Sequence, residues 1–124
     1  MPLIYHYDCN TCSFRFPGGW GCYVYAEDDE GRRHECHHPL ECEEIIKILG
    51  HGASEEMIQK RTGINTHCVC LDCITQFDVD TDKDELVCPY CGSANMKTIY
   101  ECVDKPCPKC KAGTIRQTGG QIMV

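Results

Sequence analysis

The sequence predicts a small metal-dominated α+β protein: two β-modules built on cysteine turns, a helical hairpin that bridges them, and a further cysteine turn near the C-terminus. Thirteen of the 124 residues are cysteine and six are histidine, far above ordinary usage. Most of the cysteines form Cys-x-x-Cys pairs. With only three Phe and one Trp for a core, we expect bound metal to supply much of the folding free energy, on the order of 10 kcal/mol per site.

The cysteines fit metal ligation better than a disulfide framework. An odd number of cysteines leaves at least one without a disulfide partner. The N-terminal residues 1–8 are too polar for a signal peptide, and no apolar stretch is long enough to cross a membrane. We therefore expect a cytoplasmic protein with reduced thiols and no membrane association.

Residues 1–38 are predicted to form the first module. A strand through Tyr5–Tyr7 leads into Cys9 and Cys12, and further strands follow through residues 13–16 and 20–26. We expect a metal site made by Cys9, Cys12, Cys36 and His38. The fourth position stays open, with His37, Cys42 and Cys22 as rivals of His38.

Residues 39–64 are predicted to form the helical hairpin. Pro39 suits a first helical position, an apolar stripe runs from Leu40 to Leu49, and Gly50 ends it. Ser54 is then expected to cap a second helix, with acidic residues in its first turn.

Residues 65–101 are predicted to form the second module and carry the strongest ligand signal. Cys70 and Cys73 are separated by 14 residues from Cys88 and Cys91. Each pair forms a tight turn whose sulfurs point the same way, and two facing turns place four thiolates at tetrahedral corners. Gly92 supplies the left-handed conformation after the second turn. Strands are expected at 74–79, 85–87 and 96–100.

This second module resembles a zinc ribbon of the rubredoxin-like kind, through Cys70-x-x-Cys73 and Cys88-Pro89-x-Cys91-Gly92. It is also similar, more weakly, to the zinc domain of hydrogenase nickel-delivery proteins, through Cys88 to Ser93 followed by a strand. The resemblance covers residues 68–101 and implies a ribbon fold with bound metal. The Met-His-Glu start of the nickel-delivery family is absent, so nickel delivery is not implied. The first module resembles a ribbon too, which predicts two ribbons in tandem.

Residues 102–124 contain a third clear turn, Cys107-Pro108-Lys109-Cys110, and then a short strand from Gly113 to Arg116. Three outcomes stay open for this pair. Cys107 and Cys110 recruit Cys68 and Cys102 into a third site, combine with another cysteine turn so that the pairs are shuffled, or form a free dithiol. We therefore expect two or three zinc ions, with iron as the alternative.

Two further resemblances bear on function. Residues 45–65 resemble the first two helices of a helix-turn-helix, in which residues 66–70 would become the recognition helix. Cys42-Glu43 with Pro106-Cys107-x-x-Cys110 has the letters of a zinc deaminase, but the second ribbon occupies the chain that such an enzyme needs for its own fold. Closed thiolate sets are structural, so we do not expect an enzyme.

Charge favours a protein partner. The formal net charge is −7. A four-thiolate zinc site adds −2 and a three-thiolate, one-histidine site adds −1, which gives −10. Residues 97–124 alone are basic, with five basic against two acidic side chains, so nucleic acid would meet only this segment. We expect a zinc-binding scaffold or adaptor that engages a protein or protein–nucleic-acid assembly. A rubredoxin-like electron carrier and a helix-turn-helix regulator are the alternatives.

Overall fold

The computed structural model describes residues 3–122 and contains short strands with three short helices. In chain order the elements are β1 (Leu3–Cys9), β2 (Cys22–Glu27), β3 (Arg33–Cys36), α1 (Glu41–Leu49), α2 (Glu55–Arg61), β4 (Thr62–Cys70), β5 (Gln76–Val79), β6 (Met96–Thr98), α3 (Ile99–Cys102) and β7 (Ile115–Ile122). The small α+β class predicted from the sequence is confirmed. Between residues 3 and 122, no helix has the length and apolar character that a bilayer crossing requires.

The chain divides into two compact units whose limits differ from the predicted modules. The first unit combines Met1–Cys22 with Thr66–Val124, and the second is Tyr23–Asn65. The predicted first module, 1–38, is thus divided between the two units. The predicted second ribbon, 65–101, lies almost wholly in the first unit together with both ends of the chain.

The first unit joins the two ends of the chain through β1 and β7. These strands pair antiparallel from Leu3 opposite Ile122 to Cys9 opposite Ile115, with a register shift between Ile4 and Tyr5. β7 is longer than the strand predicted at Gly113–Arg116 because it continues along the whole of β1. The pairing brings the cysteine turns that flank these strands to the same end of the β1–β7 strand pair.

The core of the first unit lies beside the β1–β7 strand pair. Phe14 and Phe16 meet edge to face, with ring centroids 5.3 Å apart. They pack with Tyr7, Ile99 and Ile115, all of them buried. Ile99 is the first residue of the one-turn helix α3. Thr98 and Glu101 cap the N-terminus of this helix with reciprocal hydrogen bonds. This turn replaces the end of the strand predicted at 96–100.

The remaining strands of the first unit surround the end of β4. Thr66–Val69 pairs antiparallel with β5, and Cys68–Cys70 pairs antiparallel with β6. Phe77, Val79 and Met96 pack against Cys68 and form a second small core. The predicted strand at 85–87 is irregular, and the strand predicted at 74–79 begins only at Gln76.

The second unit is a β-hairpin with two helices and the start of β4. β2 pairs antiparallel with β3, and β4 is the other neighbour of β2. The Arg33 guanidinium lies 4.3 Å above the Tyr25 ring and donates to the Asn65 side chain at 3.1 Å. Ser54 caps α2 as predicted, since its hydroxyl accepts the Met57 N–H at 3.2 Å.

The helix-turn-helix, the alternative to the helical hairpin, is not formed. A strand, β4, begins at Thr62, immediately after α2 ends at Arg61. The stretch that would have been the recognition helix, residues 66–70, pairs with β5 and β6 as part of that strand. Strand pairing on both sides therefore overrides the helical continuation.

Two candidate metal centres

Eight cysteines form two groups of four. Site A contains Cys9, Cys12, Cys107 and Cys110, and site B contains Cys70, Cys73, Cys88 and Cys91. Within each group all four sulfurs lie within 4.8 Å of one another. No other group of three or more metal-ligating side chains occurs between residues 3 and 122.

The sulfur distances fit a tetrahedral thiolate site. Four sulfurs at about 2.3 Å from a central zinc ion lie about 3.8 Å from one another. In site A, Cys9 to Cys110 and Cys12 to Cys107 both measure 3.7 Å. The corresponding pairs in site B, Cys70 to Cys91 and Cys73 to Cys88, measure 3.5 and 3.7 Å. Both groups can therefore accept a metal ion with little movement.

The turns that carry these cysteines are closed by two recurring backbone hydrogen bonds, and the turns at Cys70 and Cys88 have both. The N–H of the first cysteine donates to the carbonyl five residues on: Cys9 to Phe14 at 2.9 Å, Cys70 to Thr75 at 3.0 Å and Cys88 to Ser93 at 2.8 Å. The backbone N–H of the residue after the second cysteine donates to the backbone carbonyl of the first cysteine at 2.9 Å. The donors are Ile74, Gly92 and Lys111. Each turn thereby holds two sulfurs on one side of the backbone.

The residue after the second cysteine adopts a left-handed conformation in three of these turns, and it is glycine in only one of them. Gly92 has φ 76°, as its residue type favours, but Ile74 has φ 59° and Lys111 has φ 58°. A left-handed β-branched residue is strained. The side chain of Ile74 is partly buried against the core of the first unit, and this packing offsets the strain.

Backbone amides point at the sulfurs and favour the thiolate form. In site A, the amides of Thr11 and Cys12 donate to the Cys9 sulfur at 3.3 Å each, and the Gly113 amide donates to Cys110 at 3.3 Å. The amides of Gly113 and Ala112, with the neighbouring thiols, lower the pKa of Cys110 to about 6. In site B, the Tyr90 amide donates to Cys88 at 3.4 Å.

One thiolate in each group makes the next harder to form. The Thr75 hydroxyl and amide lower the pKa of Cys73 to about 6. The Ser93 amide lowers the pKa of Cys91, but the neighbouring thiols and burial outweigh it and raise that pKa to about 12. Four clustered sulfurs therefore hold their full negative charge only around a cation, as the donor set of a metal site requires.

Polar side chains fasten the two turns of each site together. In site B, Asp72 accepts hydrogen bonds from the Ser93 hydroxyl and, at 3.1 Å, from the Asn95 amide. The Ser93 bond and then the Asn95 bond lower the pKa of Asp72. In site A, the Asn10 side chain accepts the Thr114 N–H at 3.0 Å.

The backbone links of the two sites match as well. The residue after the first cysteine donates to a carbonyl four residues beyond the last: Leu71 to Asn95 at 2.8 Å in site B and Asn10 to Thr114 at 3.1 Å in site A. The two sites thus share this backbone link, although the loops between their halves differ greatly in length.

Site A differs from the predicted first site. Cys107 and Cys110 complete the set that begins with Cys9 and Cys12, which leaves Cys36 and His38 outside it. The reason is the pairing of β1 with β7, which carries Cys9 to the strand that follows Cys110. Of the three outcomes left open for Cys107 and Cys110, the structure has the one in which cysteine turns are shuffled.

The residues left out have other partners. The Cys36 thiol donates to the His34 carbonyl at 3.7 Å, and His38 Nδ1 lies 3.0 Å from a Glu41 carboxylate oxygen. Cys68 and Cys102 are buried, and neither belongs to a group of metal-ligating side chains in the described residues. Burial raises the pKa of Cys68 to about 12 and that of Cys102 to about 11.

A sequence signal for site A was present but did not decide the pairing. The chain has four clean Cys-x-x-Cys turns, and four turns make two complete sets without any histidine. Gly113 also marks the approach of the two halves: a Cβ there would lie 2.6 Å from the Cys9 sulfur and 2.7 Å from Thr11. Neither signal states which turns share an ion.

No protein-family model, curated protein sequence or solved structure matches this chain. The two four-cysteine groups are consistent with zinc-binding modules on their own geometry.

Proposed function

We propose that the protein is a cytoplasmic zinc-binding scaffold or adaptor that holds two structural zinc ions and engages a protein partner without catalysing a reaction. The observation that carries the proposal is that each site is a closed set of four cysteines with sulfur spacing suited to a tetrahedral ion. Four protein ligands leave no position for a substrate or an activated water.

Two observations support a structural role for the ions. Site A ties the two ends of the chain, because its ligands are 95 to 101 residues apart in sequence. Cys9, Cys102 and Cys107 are buried within the main core, so site A and the core form together. Bound metal then contributes directly to folding free energy.

Iron is the second candidate metal. Sulfurs that accept backbone N–H groups, as in both sites, suit a redox-active thiolate centre as well as zinc. In site B, Cys73 and Cys91 are exposed, which would allow electron transfer to a partner. This observation keeps a rubredoxin-like electron carrier as the alternative function.

Metal analysis of the purified protein tests the proposal. We expect two zinc ions per chain and a colourless protein, whereas ferric four-thiolate iron is red. Cys88→Ser should remove the ion of site B and Cys107→Ser the ion of site A, each leaving one. Cys36→Ser and His38→Ala serve as controls and should retain two ions. Iron at either site in protein purified from its native source would overturn the zinc assignment.

The charge distribution favours a protein over nucleic acid as the partner. Two four-thiolate zinc sites add −4 to the formal −7, which gives −11. The basic segment 97–124 places Lys105, Lys109 and Lys111 in exposed positions around the second turn of site A. Arg116 is paired with Asp104 at 3.6 Å. The lysines are the surface that would meet an acidic protein face or a phosphate.

A further inference from the structure

Helix α1 has an apolar face that the described part of the chain covers only in part. Cys42, Ile45, Ile46 and Leu49 recur at the spacing i, i+3, i+4 and i+7, which places them on one side of the helix. None of the nine residues of α1 is buried. Ile46 is 39% exposed and Cys42 is exposed, whereas Ile45 and Leu49 are half-buried. We call these four residues the α1 stripe.

Acidic side chains border the α1 stripe on both sides. At 3.6 residues per turn, Glu43 lies along one edge of the stripe and Glu41 along the other. Glu44 lies farther round the helix beyond Glu41, and the one basic residue, Lys47, lies beyond Glu43. Hydrogen bonds from His38 and the His37 amide hold the pKa values of Glu41 and Glu44 below their usual range, so both are ionised at neutral pH. The whole unit, Tyr23–Asn65, has ten acidic and five basic residues.

This charge pattern selects one kind of occupant. A second copy of the same face would bring together the bordering glutamates of both copies, Glu41 and Glu43 of each, which like-charge repulsion opposes. The same repulsion disfavours an anionic membrane surface. A segment with apolar side chains on one face and Lys or Arg at its edges would match both the stripe and its rim.

We propose that the α1 stripe is the docking site for a basic amphipathic helical segment of a partner protein. This inference rests on the proposed adaptor function and names the chemistry of the partner. The nine residues of α1 span about 14 Å, which matches two to three turns of a docked helix. Ile46 supplies the exposed apolar anchor, and Glu43 attracts the basic edge of the partner.

Selection from a displayed library of random peptides tests this proposal directly. Peptides of about 16 residues, or about four helical turns, would be selected on the zinc-loaded full chain and counter-selected on Ile46→Asp. We expect enrichment of Leu, Ile or Met at i, i+3, i+4 and i+7 with Lys or Arg beside them. Enrichment of acidic peptides, or failure to separate the full chain from Ile46→Asp, would overturn the proposal.

Alkylation of Cys42 then locates the bound peptide. With both metal sites filled, Cys42 is the exposed thiol outside them in the described part of the chain. A saturating enriched peptide should slow its reaction with iodoacetamide at least about tenfold, since a buried contact excludes the reagent. Unchanged alkylation in the presence of bound peptide would place the peptide elsewhere and refute the stripe.

Matched variants distinguish binding at the α1 stripe from nonspecific binding to exposed apolar residues. Ile46→Asp and Glu43→Lys should each weaken the enriched peptide at least about tenfold. Ile64→Asp changes another exposed apolar residue of the same unit, 53% exposed on β4, and should leave binding unchanged. Each variant must bind two zinc ions and give the same circular dichroism spectrum as the unaltered chain.

The same samples distinguish failure of this inference from failure of the proposed function. Two structural zinc ions without stripe-dependent peptide binding would refute the docking site and leave the metal assignment standing. Dimers that Ile46→Asp dissociates in analytical ultracentrifugation would show that the stripe binds a second copy, which also refutes the proposal.

Discussion

Gly113 lies where the two halves of site A meet. It follows the second turn of the site, donates its N–H to the Cys110 sulfur at 3.3 Å and lies against the first turn. A Cβ at this position would approach the Cys9 sulfur to 2.6 Å, closer than real Cβ contacts occur. A sulfur fixed by metal ligation cannot move away as a free side chain would.

Gly113→Ala should therefore reduce the bound zinc from two ions to one. The added methyl group must displace Cys9 or Thr11, and either movement opens the tetrahedral set. Native mass spectrometry under non-denaturing conditions measures the number of ions. Gly52→Ala is the matched control, because a Cβ at Gly52 meets nothing within 4 Å. If Gly113→Ala still binds two ions tightly, the two halves of site A do not approach each other as closely at Gly113 as the structure indicates.

Asp72 acts on site B without contacting the ion. It holds the turn of Cys70 and Cys73 to Ser93 and Asn95, which follow the other turn. Asp72→Ala should weaken zinc at site B by about 10- to 100-fold, the usual effect of losing a group that orients metal ligands. Competition with a chromophoric chelator measures the change. Asp82→Ala, in the loop before Cys88, is the control and should leave both affinities unaltered.

At the scale of elements, the β2–β3 hairpin depends on one carboxylate in its turn. Asp28 accepts hydrogen bonds from the amides of Glu30 and Arg32 at 2.9 Å each, and its other oxygen lies 2.8 Å from His34 Nε2. The His34 bond, the Arg32 and Glu30 amides and the Arg32 charge hold the pKa of Asp28 far below its usual value. The acidic residues 27–30 therefore belong to an organised turn.

Asp28→Asn should lower the urea midpoint of unfolding by a similar amount at pH 5.5 and pH 7.5. A depressed carboxyl pKa contributes stability that is complete above the ordinary value of 3.8 and is lost only as the pH falls through the folded-state pKa. Far-UV circular dichroism follows the transition. Asp29→Asn removes an exposed ion pair with Arg61 and should have a smaller effect. Equal effects of the two variants would contradict the role given to Asp28.

At the scale of the whole molecule, one four-cysteine site is nested within the other along the sequence. Site B and the entire second unit lie in sequence between the two halves of site A. The tandem arrangement expected from the sequence would make each site independent of the opposite end of the chain. The nested arrangement instead makes site A depend on residues near both ends.

A chain that stops at Val103 distinguishes these two arrangements. It lacks Cys107, Cys110 and β7, so we expect one zinc ion, held at site B. A tandem arrangement with Cys36 and His38 would retain two ions. The double variant Cys107→Ser/Cys110→Ser keeps β7 and should also bind one ion, which covers the case in which the truncated chain folds poorly. Two ions in either protein, measured by native mass spectrometry, would refute the nested arrangement.

The sequence by itself determined the local parts of this protein. The turn at Cys70–Cys73, the turn at Cys88–Cys91 and the Ser54 cap follow from residues only a few positions apart, because hydrogen bonds within each segment fix its conformation. Site B joins two such turns across a short loop, and the four cysteines that the sequence assigns to it lie together in the structure. The α+β class followed from the same local patterns.

Only the tertiary structure decided how the remaining cysteine turns are shared. A Cys-x-x-Cys turn looks the same in sequence whichever turn it faces, and the partner of Cys9–Cys12 lies about a hundred residues away. The pairing of β1 with β7 makes that choice. Likewise, residues 66–70 became a strand because β5 and β6 pair with them. Long-range strand pairing carries no short-range signature in the sequence, and this is why the metal pairing could not be deduced from the chain alone.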